Sequence, residues 1–345
     1  MMTPQNKLRN LGYQSLPFKR LEVVLRKRRK TNLVYVSDDS KADRLERRYK
    51  GLENPKKSNR CYFNAVMQCL LYSPVAKQTI ESVPRSAQSV DILCEIRNLF
   101  TRMTANDAAT FISPSKCFKA IMDTQECRSS QMSFNNRQED VHEFLGCLLE
   151  HFETLNVPDI FKICIQSTTA CQRCLYSSVQ TETLRNLTLR FPVDENEDAL
   201  DSPSRVLHIN ALLDGFFREE NLYEHPCGLC DFVGGTGKKF HMIKAPQLLV
   251  LHLSRFGGGI LKIQTLVEFT TELSTECIRD ETGQQICYRL TGMIRHEGAS
   301  IEAGHYTAYV LIDGDWYEAD DTRMTHISWQ TVRSLQAYLL FYERQ

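Results

Sequence analysis

Residues 51–72 read GLENPKKSNRCYFNAVMQCLLY, and this stretch decides how the rest of the chain is interpreted. A polar, turn-rich lead-in ends at Cys61, and an apolar pattern of helical period follows at once. Val66, Cys69 and Leu70 recur at i, i+3 and i+4, which predicts a short helix with one buried face. Cys61 then lies at the helix N-terminus, where a thiol ionises more readily and becomes a candidate nucleophile. The alternative is an inert cysteine buried in a core helix.

Charge is unevenly distributed along the 345 residues. Residues 1–50 hold 14 of the 42 Lys and Arg but only 5 of the 42 Asp and Glu, which leaves 28 and 37 for residues 51–345. We therefore expect a basic, flexible arm over 1–50 and a folded acidic domain over 51–345. The acidic domain favours a basic protein partner over nucleic acid. Within the arm, RKRRK at 26–30 indicates a nuclear import signal or a contact for an acidic surface; a solvated segment without a partner is an equal alternative.

Thirteen cysteines need an explanation. The first residues, MMTPQNKLRNLGYQ, lack the apolar core of a signal peptide, and no run of about 18 uncharged apolar residues occurs. We therefore expect no membrane span and an intracellular, reducing location in the nucleus or cytoplasm. There the cysteines serve as buried thiols, metal ligands or a nucleophile.

The pattern of secondary structure changes along the chain. Helical periodicity covers residues 87–104 and, more clearly, QEDVHEFLGCLLEHFE at 138–153. After about residue 160 the pattern becomes that of strands. The predicted strands are LLVLHLSRF (248–256), YRLTGMIRH (288–296), HYTAYVLI (305–312), WYEA (316–319) and AYLLFYER (337–344). A helical first half followed by an antiparallel second half predicts an α+β fold.

Two CxxC pairs indicate a metal site. Cys171 and Cys174 form the first pair, and Cys227 and Cys230 follow after 52 intervening residues. Each pair presents two thiolates from a tight turn, and two pairs complete a tetrahedral zinc site. Redox-active cysteines are the alternative, but two pairs in a reducing compartment favour structural zinc. Four protein ligands leave the metal no open position for catalysis.

A second polar group lies near the C-terminus. His305 opens a predicted strand, and Asp320 and Asp321 follow the next one after a short turn. A hairpin brings His305 beside Asp320, an arrangement that suits a carboxylate orienting a basic imidazole. If the fold also brings Cys61 close, the three residues form a catalytic set. A surface histidine beside a solvated acidic turn is an equal alternative from these residues alone.

Taken together, these motifs resemble the ubiquitin-specific proteases, the papain-like deubiquitinating cysteine peptidases. The matching stretches are GLEN…RCYFNAVMQCLLYSP, QEDVHEFL, both CxxC pairs, LLVLHLSRF, YRLTGMIRHEGASIEAGHYTAYV, WYEADD and AYLLFYER, and they span residues 51–345 in the family's order. The resemblance implies a papain-like fold with a helical thumb (about 51–155), followed by β fingers carrying zinc and a β palm (about 156–345).

The resemblance also assigns roles to residues. It implies that Cys61 attacks the carbonyl of ubiquitin's last glycine to form a thioester, that His305 transfers protons, and that Asp320 orients His305 with Asp321 as a polar neighbour. Gln138 and Asp140 would bind the ubiquitin tail, and His296 and Tyr306 would line its channel, with Glu143 beside them. The implied partners are ubiquitin and ubiquitinated proteins, and the implied cofactor is one structural zinc ion.

Two departures from the family pattern affect catalysis. The family has a short lead such as GLxNxGxTC, whose Asn donates to the oxyanion; here the lead is two residues longer. Asn54 matches by its GLxN context, whereas Asn59 is nearer to Cys61, so either one or neither provides the donor. Ala319 replaces a large apolar residue before the Asp pair. Because Cys61, His305 and Asp320 are all present, we predict an active enzyme that these departures can slow.

Three rival functions stay open at this point. An inactive ubiquitin-binding scaffold of the same fold is favoured by the longer lead and opposed by the retained catalytic set. A protease for a ubiquitin-like modifier would share the same tail recognition. A zinc-containing nucleic-acid-binding protein is opposed by the acidic domain.

Overall fold

The structure, a computed structural model, describes residues 49–56, 58–84, 92–130, 138–192, 206–224, 226–256, 262–280, 282–301 and 303–345. Most of the predicted arm, including RKRRK, lies outside these ranges. Its last two residues, Tyr49 and Lys50, are described and are buried, at 7% and 0% exposure. Lys50 Nζ lies 2.8 Å from a carboxylate oxygen of Asp107, so the folded region begins no later than Tyr49. Within the described part of the chain, no helix is long and apolar enough to cross a bilayer.

Helices prevail among the described residues up to 154, which form the thumb. They are α1 (Cys61–Tyr72), α2 (Pro74–Ser82), α3 (Ile92–Thr104), α4 (Ser115–Met122), α5 (Gln125–Ser129) and α6 (Val141–Thr154). Two short strands, β1 (Gly51–Leu52) and β2 (Phe111–Ile112), pair in parallel beside them. Helix α6 begins three residues later than the sequence predicts, because Asp140 Oδ1 accepts the backbone N–H of His142 at 2.9 Å and caps the helix.

Strands prevail in the rest of the chain. They are β3 (Ile163–Cys171), β4 (Ser177–Leu184), β5 (Leu187–Leu189), β6 (Val206–His208), β7 (Glu220–Leu222), β8 (Thr236–Lys244), β9 (Leu248–Leu253), β10 (Leu266–Glu268), β11 (Glu272–Arg279), β12 (Gln285–Ser300), β13 (Ala303–Ile312), β14 (Asp315–Asp320), β15 (Arg323–Ile327) and β16 (Ala337–Arg344). Two helices, α7 (Ile209–Phe217) and α8 (Trp329–Val332), interrupt them.

Two sheets form the palm and the fingers. The palm sheet has the order β15-β14-β13-β12-β16-β9-β5, with β11 also paired to β12, and it contains every strand predicted from the sequence. The finger sheet has the order β4-β3-β8-β7. Its long antiparallel strands carry the two CxxC pairs at one end, as the 52-residue separation requires.

The hairpin between β13 and β14 sets the register of the palm edge. Asp313 (φ 51°) and Gly314 (φ 94°) both adopt left-handed backbone conformations, which suits a tight two-residue hairpin turn. The register pairs Ala308 with Ala319, so Asp320 lies one step further, toward the start of β13. His305 therefore becomes a near neighbour of Asp320 across the hairpin.

Helix α1 is the centre of the molecule. Eleven of its twelve residues are buried, which corrects the prediction of a single buried face. The reason is its position: α1 packs on β12 and β13 of the palm and also against α2 and α6 of the thumb. Its polar residues Asn64 and Gln68 are enclosed too, at 3% and 1% exposure, and each donates to a backbone carbonyl. Periodicity alone does not reveal a helix that is covered on all sides.

Candidate active site and metal centre

The fold brings the three candidate catalytic residues together. Cys61 is the first residue of α1 and is 2% exposed. His305 lies near the start of β13, which packs directly on α1. Its Nε2 atom lies 2.7 Å from Oδ1 of Asp320, at the end of β14. Because Nε2 faces Asp320, Nδ1 is the ring nitrogen left for the thiol of Cys61.

Electrostatics favour a protonated imidazole at this position. The hydrogen bond that His305 donates to Asp320, followed by interaction with Cys61, raises the pKa of His305 from 6.5 to about 10, although burial acts in the opposite direction. The same bond, supported by Arg323 at 3.0 Å, holds the pKa of Asp320 below its usual value. At neutral pH, His305 is therefore an imidazolium between a carboxylate and a sulfur.

Asp321 joins the loop before Cys61 to the helix after it. Its Oδ2 accepts from Asn54 Nδ2 at 2.9 Å, and its Oδ1 accepts from Asn64 Nδ2 at 2.8 Å. Its backbone oxygen accepts from the N–H of Leu52 at 2.7 Å. Asp321 thus fixes the positions of both flanks of Cys61, whereas Asp320 is the carboxylate that accepts from the imidazole.

Asn54 and Asn59 differ in their surroundings. The Oδ1 atom of Asn54 accepts from Ser58 Oγ at 2.7 Å and from the backbone N–H of Arg60 at 3.0 Å. Since an amide nitrogen carries two hydrogens and Asp321 takes one, Asn54 keeps a second donor. Asn59 is exposed and has a left-handed backbone conformation, with φ 48°. The amide group of Asn54 is thus held by three hydrogen bonds.

The residues predicted to line the tail channel form a buried polar wall. Gln138 Nε2 lies 3.0 Å from His296 Nε2, and the rings of His296 and Tyr306 have centroids 4.7 Å apart. All three side chains are at most 8% exposed. Burial, together with the positive charges of Lys262 and His305, lowers the pKa of His296 to about 4, so it is neutral. Its Nδ1 has no hydrogen-bond partner among the described residues.

Asp140 and Glu143 lie at the start of α6. Besides capping the helix, Asp140 accepts the hydroxyl of Tyr338 at 2.9 Å through Oδ2, and burial raises its pKa. Its carboxylate is therefore largely committed to holding α6 against β16. Glu143 is exposed in the first turn of the helix, and partial burial raises its pKa.

The two CxxC pairs form matching turns. In the first, the N–H of Cys171 bonds to the oxygen of Tyr176 and the N–H of Leu175 bonds to the oxygen of Cys171. Cys227 repeats both bonds with Phe232 and Asp231. The residue after each pair, Leu175 or Asp231, has a left-handed backbone (φ 61° and 53°).

The four sulfurs have the spacing that zinc needs. Their Sγ atoms all lie within 4.8 Å of one another, with Cys171–Cys230 at 3.8 Å and Cys174–Cys227 at 3.6 Å. Tetrahedral zinc with Zn–S bonds of about 2.3 Å places its sulfurs about 3.8 Å apart. Backbone N–H groups of Leu229 and Cys230 lower the pKa of Cys227 to about 6, which favours a thiolate ligand. The donor set and its spacing therefore fit a four-cysteine zinc ion.

Three residues of the site were missed from the sequence. Asn64 and Tyr338 hold Asp321 and Asp140, as described above. Lys262, 5% exposed, donates to the backbone oxygen of His296, and burial lowers its pKa to about 8. Asn64 alone left a signal, because it is a polar residue three positions after Cys61 in a helix that is mostly apolar.

Comparison with known proteins identifies the family. The family model described as "Ubiquitin carboxyl-terminal hydrolase" matches residues 50–342. The chain belongs to this family. Ubiquitin carboxyl-terminal hydrolase 23 of Arabidopsis thaliana is 28% identical over 320 residues, covering 85% of this chain and 35% of that protein. Ubiquitin carboxyl-terminal hydrolase 36 of Drosophila virilis is 27% identical, covering 83% of this chain and 25% of that protein. The chain thus spans a quarter to about a third of these two relatives.

Solved structures agree with the family assignment. A chain of the SAGA Ubp8/Sgf11/Sus1/Sgf73 DUB module bound to ubiquitin aldehyde matches with a TM-score of 0.68 at 22% identity, covering 87% of this chain and 71% of that chain. At this identity the likeness establishes the fold. The predicted membership of the ubiquitin-specific proteases and the predicted α+β fold with thumb, palm and fingers are confirmed. The four-cysteine cluster lies at the end of the fingers of this ubiquitin carboxyl-terminal hydrolase.

Proposed function

We propose that this chain is a thiol-dependent deubiquitinase that cleaves the peptide or isopeptide bond after ubiquitin's C-terminal glycine. The observation that carries the proposal is the short His305–Asp320 pair beside Cys61, in a chain of the ubiquitin carboxyl-terminal hydrolase family. An inactive scaffold would have no need of an imidazole whose pKa is raised by both a carboxylate and a sulfur.

The reaction follows from these positions. The imidazolium of His305 stabilises the thiolate of Cys61, which attacks the carbonyl carbon of the last glycine. His305 then gives its proton to the leaving amine, so that the C–N bond breaks and a thioester forms. A water molecule gives a proton to His305, attacks the thioester and releases ubiquitin with a free carboxylate. Throughout the reaction, Asp320 holds the imidazole ring of His305 in place and stabilises its positive charge.

The oxyanion is stabilised from two directions. The second amide hydrogen of Asn54 provides one donor, and Asp321 keeps that side chain in place. The backbone N–H of Cys61, at the start of α1 where such groups lack intrahelical partners, provides the other. On this basis Asn54, rather than Asn59, serves the oxyanion hole.

Ubiquitin's tail lies along the wall formed by Gln138, His296 and Tyr306. The neutral His296 and its unpartnered Nδ1 offer a hydrogen-bonding group in a buried channel, which suits a peptide backbone. Glu143 is exposed at the rim, where it can meet a basic residue, and Asp140 acts by holding the wall in position. The acidic character of residues 51–345 agrees with a basic partner.

One zinc ion held by Cys171, Cys174, Cys227 and Cys230 completes the fingers. Its contribution is structural, since four thiolates close the coordination sphere. None of the thirteen cysteines forms a disulfide, which supports a reducing compartment, nucleus or cytoplasm, as the place of action.

The decisive experiment is covalent labelling by ubiquitin that carries a thiol-reactive C-terminal electrophile. We expect one adduct with the wild-type chain and none with Cys61→Ala. Cys94→Ser, a partly exposed thiol on α3, is the matched control and should label normally. A ubiquitin-like modifier bearing the same electrophile should not react. Binding of ubiquitin without any adduct would support an inactive ubiquitin-binding scaffold instead. A stronger reaction with the ubiquitin-like modifier would show that this modifier, and not ubiquitin, is the substrate.

A further inference from the structure

A group of cations borders the nucleophile in a domain that is otherwise acidic. We name it the basic rim: Lys56, Arg60, Arg102, Lys116 and Lys119. Four of these side chains are exposed and Arg60 is partly exposed. Lys56 belongs to the turn created by the longer lead, and Arg60 immediately precedes Cys61.

Contacts between three segments hold the rim together. Arg60 Nη1 donates to Ser115 Oγ at 3.1 Å, and its guanidinium lies 4.4 Å above the ring of Phe118. Ser115 Oγ lies 3.0 Å from Ser113 Oγ, and Arg102 donates to the backbone oxygen of Ser113 at 3.1 Å. These contacts connect the lead, the end of α3 and the start of α4, the three segments that carry the cations of the rim.

The turn in the lead is also fixed. The N–H of Ser58 bonds to the oxygen of Pro55 at 2.9 Å, and Ser58 Oγ and the N–H of Arg60 both bond to Asn54 Oδ1. These bonds place exposed Lys56 at the corner of a defined turn that starts at Asn54. Lys56 therefore adds a positive charge to the lead, two residues after Asn54.

None of the five cations of the rim forms an ion pair within the described residues. Of the carboxylates near in sequence, Asp107 pairs with Lys50 at 2.8 Å, and neither Glu53 nor Glu95 bonds to a rim cation in the described ranges. Uncompensated cations of one sign attract and orient an acidic partner.

The position of the rim indicates which partner this is. In the proposed reaction, ubiquitin's tail approaches Cys61 along Gln138 and His296. The leaving amine takes its proton from His305, and the modified protein continues over the surface beside Cys61 that ubiquitin's tail does not occupy, to which the partly exposed Arg60 belongs. The segment of the modified protein around its lysine therefore reaches the rim.

We propose that the basic rim selects substrates whose modified lysine is flanked by acidic residues. This proposal rests on the proposed function, since it concerns the leaving-group side of the same reaction. The carboxylates of the substrate pair with Lys56, Lys116 and Lys119. Arg60 and Arg102, which donate hydrogen bonds to Ser115 and Ser113, add further positive charge.

The test compares two conjugates in which ubiquitin is linked to the lysine of a short peptide. One peptide has Asp and Glu around the lysine, and the other has Asn and Gln at the same positions. We expect the wild-type chain to cleave the acidic conjugate with a kcat/KM roughly fivefold higher at low salt, and the ratio to fall as salt rises. The triple variant Lys56→Gln/Lys116→Gln/Lys119→Gln should bring the ratio close to one.

The ratio is measured within each variant, so changes in overall activity cancel. The double variant Lys77→Gln/Arg333→Gln removes cations on α2 and just after α8 and should keep the wild-type ratio. Cleavage of both conjugates at equal rates by the wild-type chain would overturn the rim proposal and leave the proposed function intact, as would a preference that survives in the triple variant. Failure to cleave either conjugate or to label Cys61 would overturn both proposals.

Discussion

Asn64 Nδ2 donates a 2.8 Å hydrogen bond to Asp321 Oδ1, while Asn54 donates to the other oxygen of the same carboxylate at 2.9 Å. One carboxylate thus ties the loop before Cys61 to the first turn of α1 after it. Asn54, the proposed oxyanion donor, is therefore held by an acidic residue that is not itself the partner of His305.

The first prediction concerns this donor. Asn54→Ala should lower kcat by on the order of 10²-fold with little change in ubiquitin affinity, because the lost bond forms only with the developing oxyanion. Asn59→Ala is the matched control and should keep kcat near the wild-type value. Steady-state hydrolysis of ubiquitin with a fluorogenic leaving group measures both. The reverse pattern would make Asn59 the donor, contrary to our proposal.

The second prediction concerns pH. The pKa of His305 is raised from 6.5 to about 10 in the folded chain, so the imidazolium persists up to about pH 10. We expect the basic limb of the kcat/KM profile near pH 10 in the wild type. In Asp320→Asn it should move toward 6.5, because the principal cause of the raised pKa is lost.

The same shift affects stability. Below about pH 6.5 His305 is protonated in both the folded and unfolded states, so its stabilising contribution is fully present. That contribution decreases as pH rises and is lost above about 10.

The control for the activity profile is His326→Gln, which removes an exposed histidine 3.7 Å from Asp315 and should leave the pH profile of kcat/KM unchanged. An unshifted basic limb in Asp320→Asn would show that Asp320 does not control the imidazole.

The third prediction concerns the metal. Cys227→Ser should abolish binding of one zinc ion, measured by native mass spectrometry. It should also weaken ubiquitin binding, because the proposed zinc ion joins the ends of the two finger hairpins, where the four cysteines meet. Alkylation of Cys61 by a small electrophile should persist, since the thumb and palm have their own core. Cys164→Ser on β3 should retain the zinc. Stoichiometric zinc in Cys227→Ser would contradict the four-cysteine site.

The sequence predicted those parts of the molecule that depend on local signals. The bounds of β16 follow from the alternation of its residues, and the start of α1 follows from the polar lead-in before Cys61. The cluster of four cysteines follows from the spacing of the two CxxC pairs. The Asn54–Asp321 bond joins residues 267 positions apart, and no local pattern encodes it. The full enclosure of α1 was missed for a similar reason, because the palm that covers it is assembled from strands after residue 180.

The last prediction follows from the close approach of β1 to the Asp321 loop. A Cβ atom at Gly51 would lie 2.3 Å from the carbonyl carbon of Thr322 and 2.4 Å from the oxygen of Asp321. Both are backbone atoms, so the loop itself must move. Gly51→Ala should therefore destabilise the fold by about 1–3 kcal/mol and lower kcat, because Asp321 shifts away from both asparagines.

Gly146 on α6 is the matched control, since a Cβ there would meet nothing within 4 Å. Gly146→Ala should raise stability by up to about 1 kcal/mol, because alanine is the better helix former, and should leave kcat unchanged. Thermal denaturation and hydrolysis of fluorogenic ubiquitin measure both variants. If Gly51→Ala behaved like Gly146→Ala in both measurements, the contact of β1 with the Asp321 loop would not position the catalytic residues. A loss of kcat in Gly51→Ala at temperatures where the variant stays folded would show that the loop, and with it the orientation of Asn54, is set by this backbone contact.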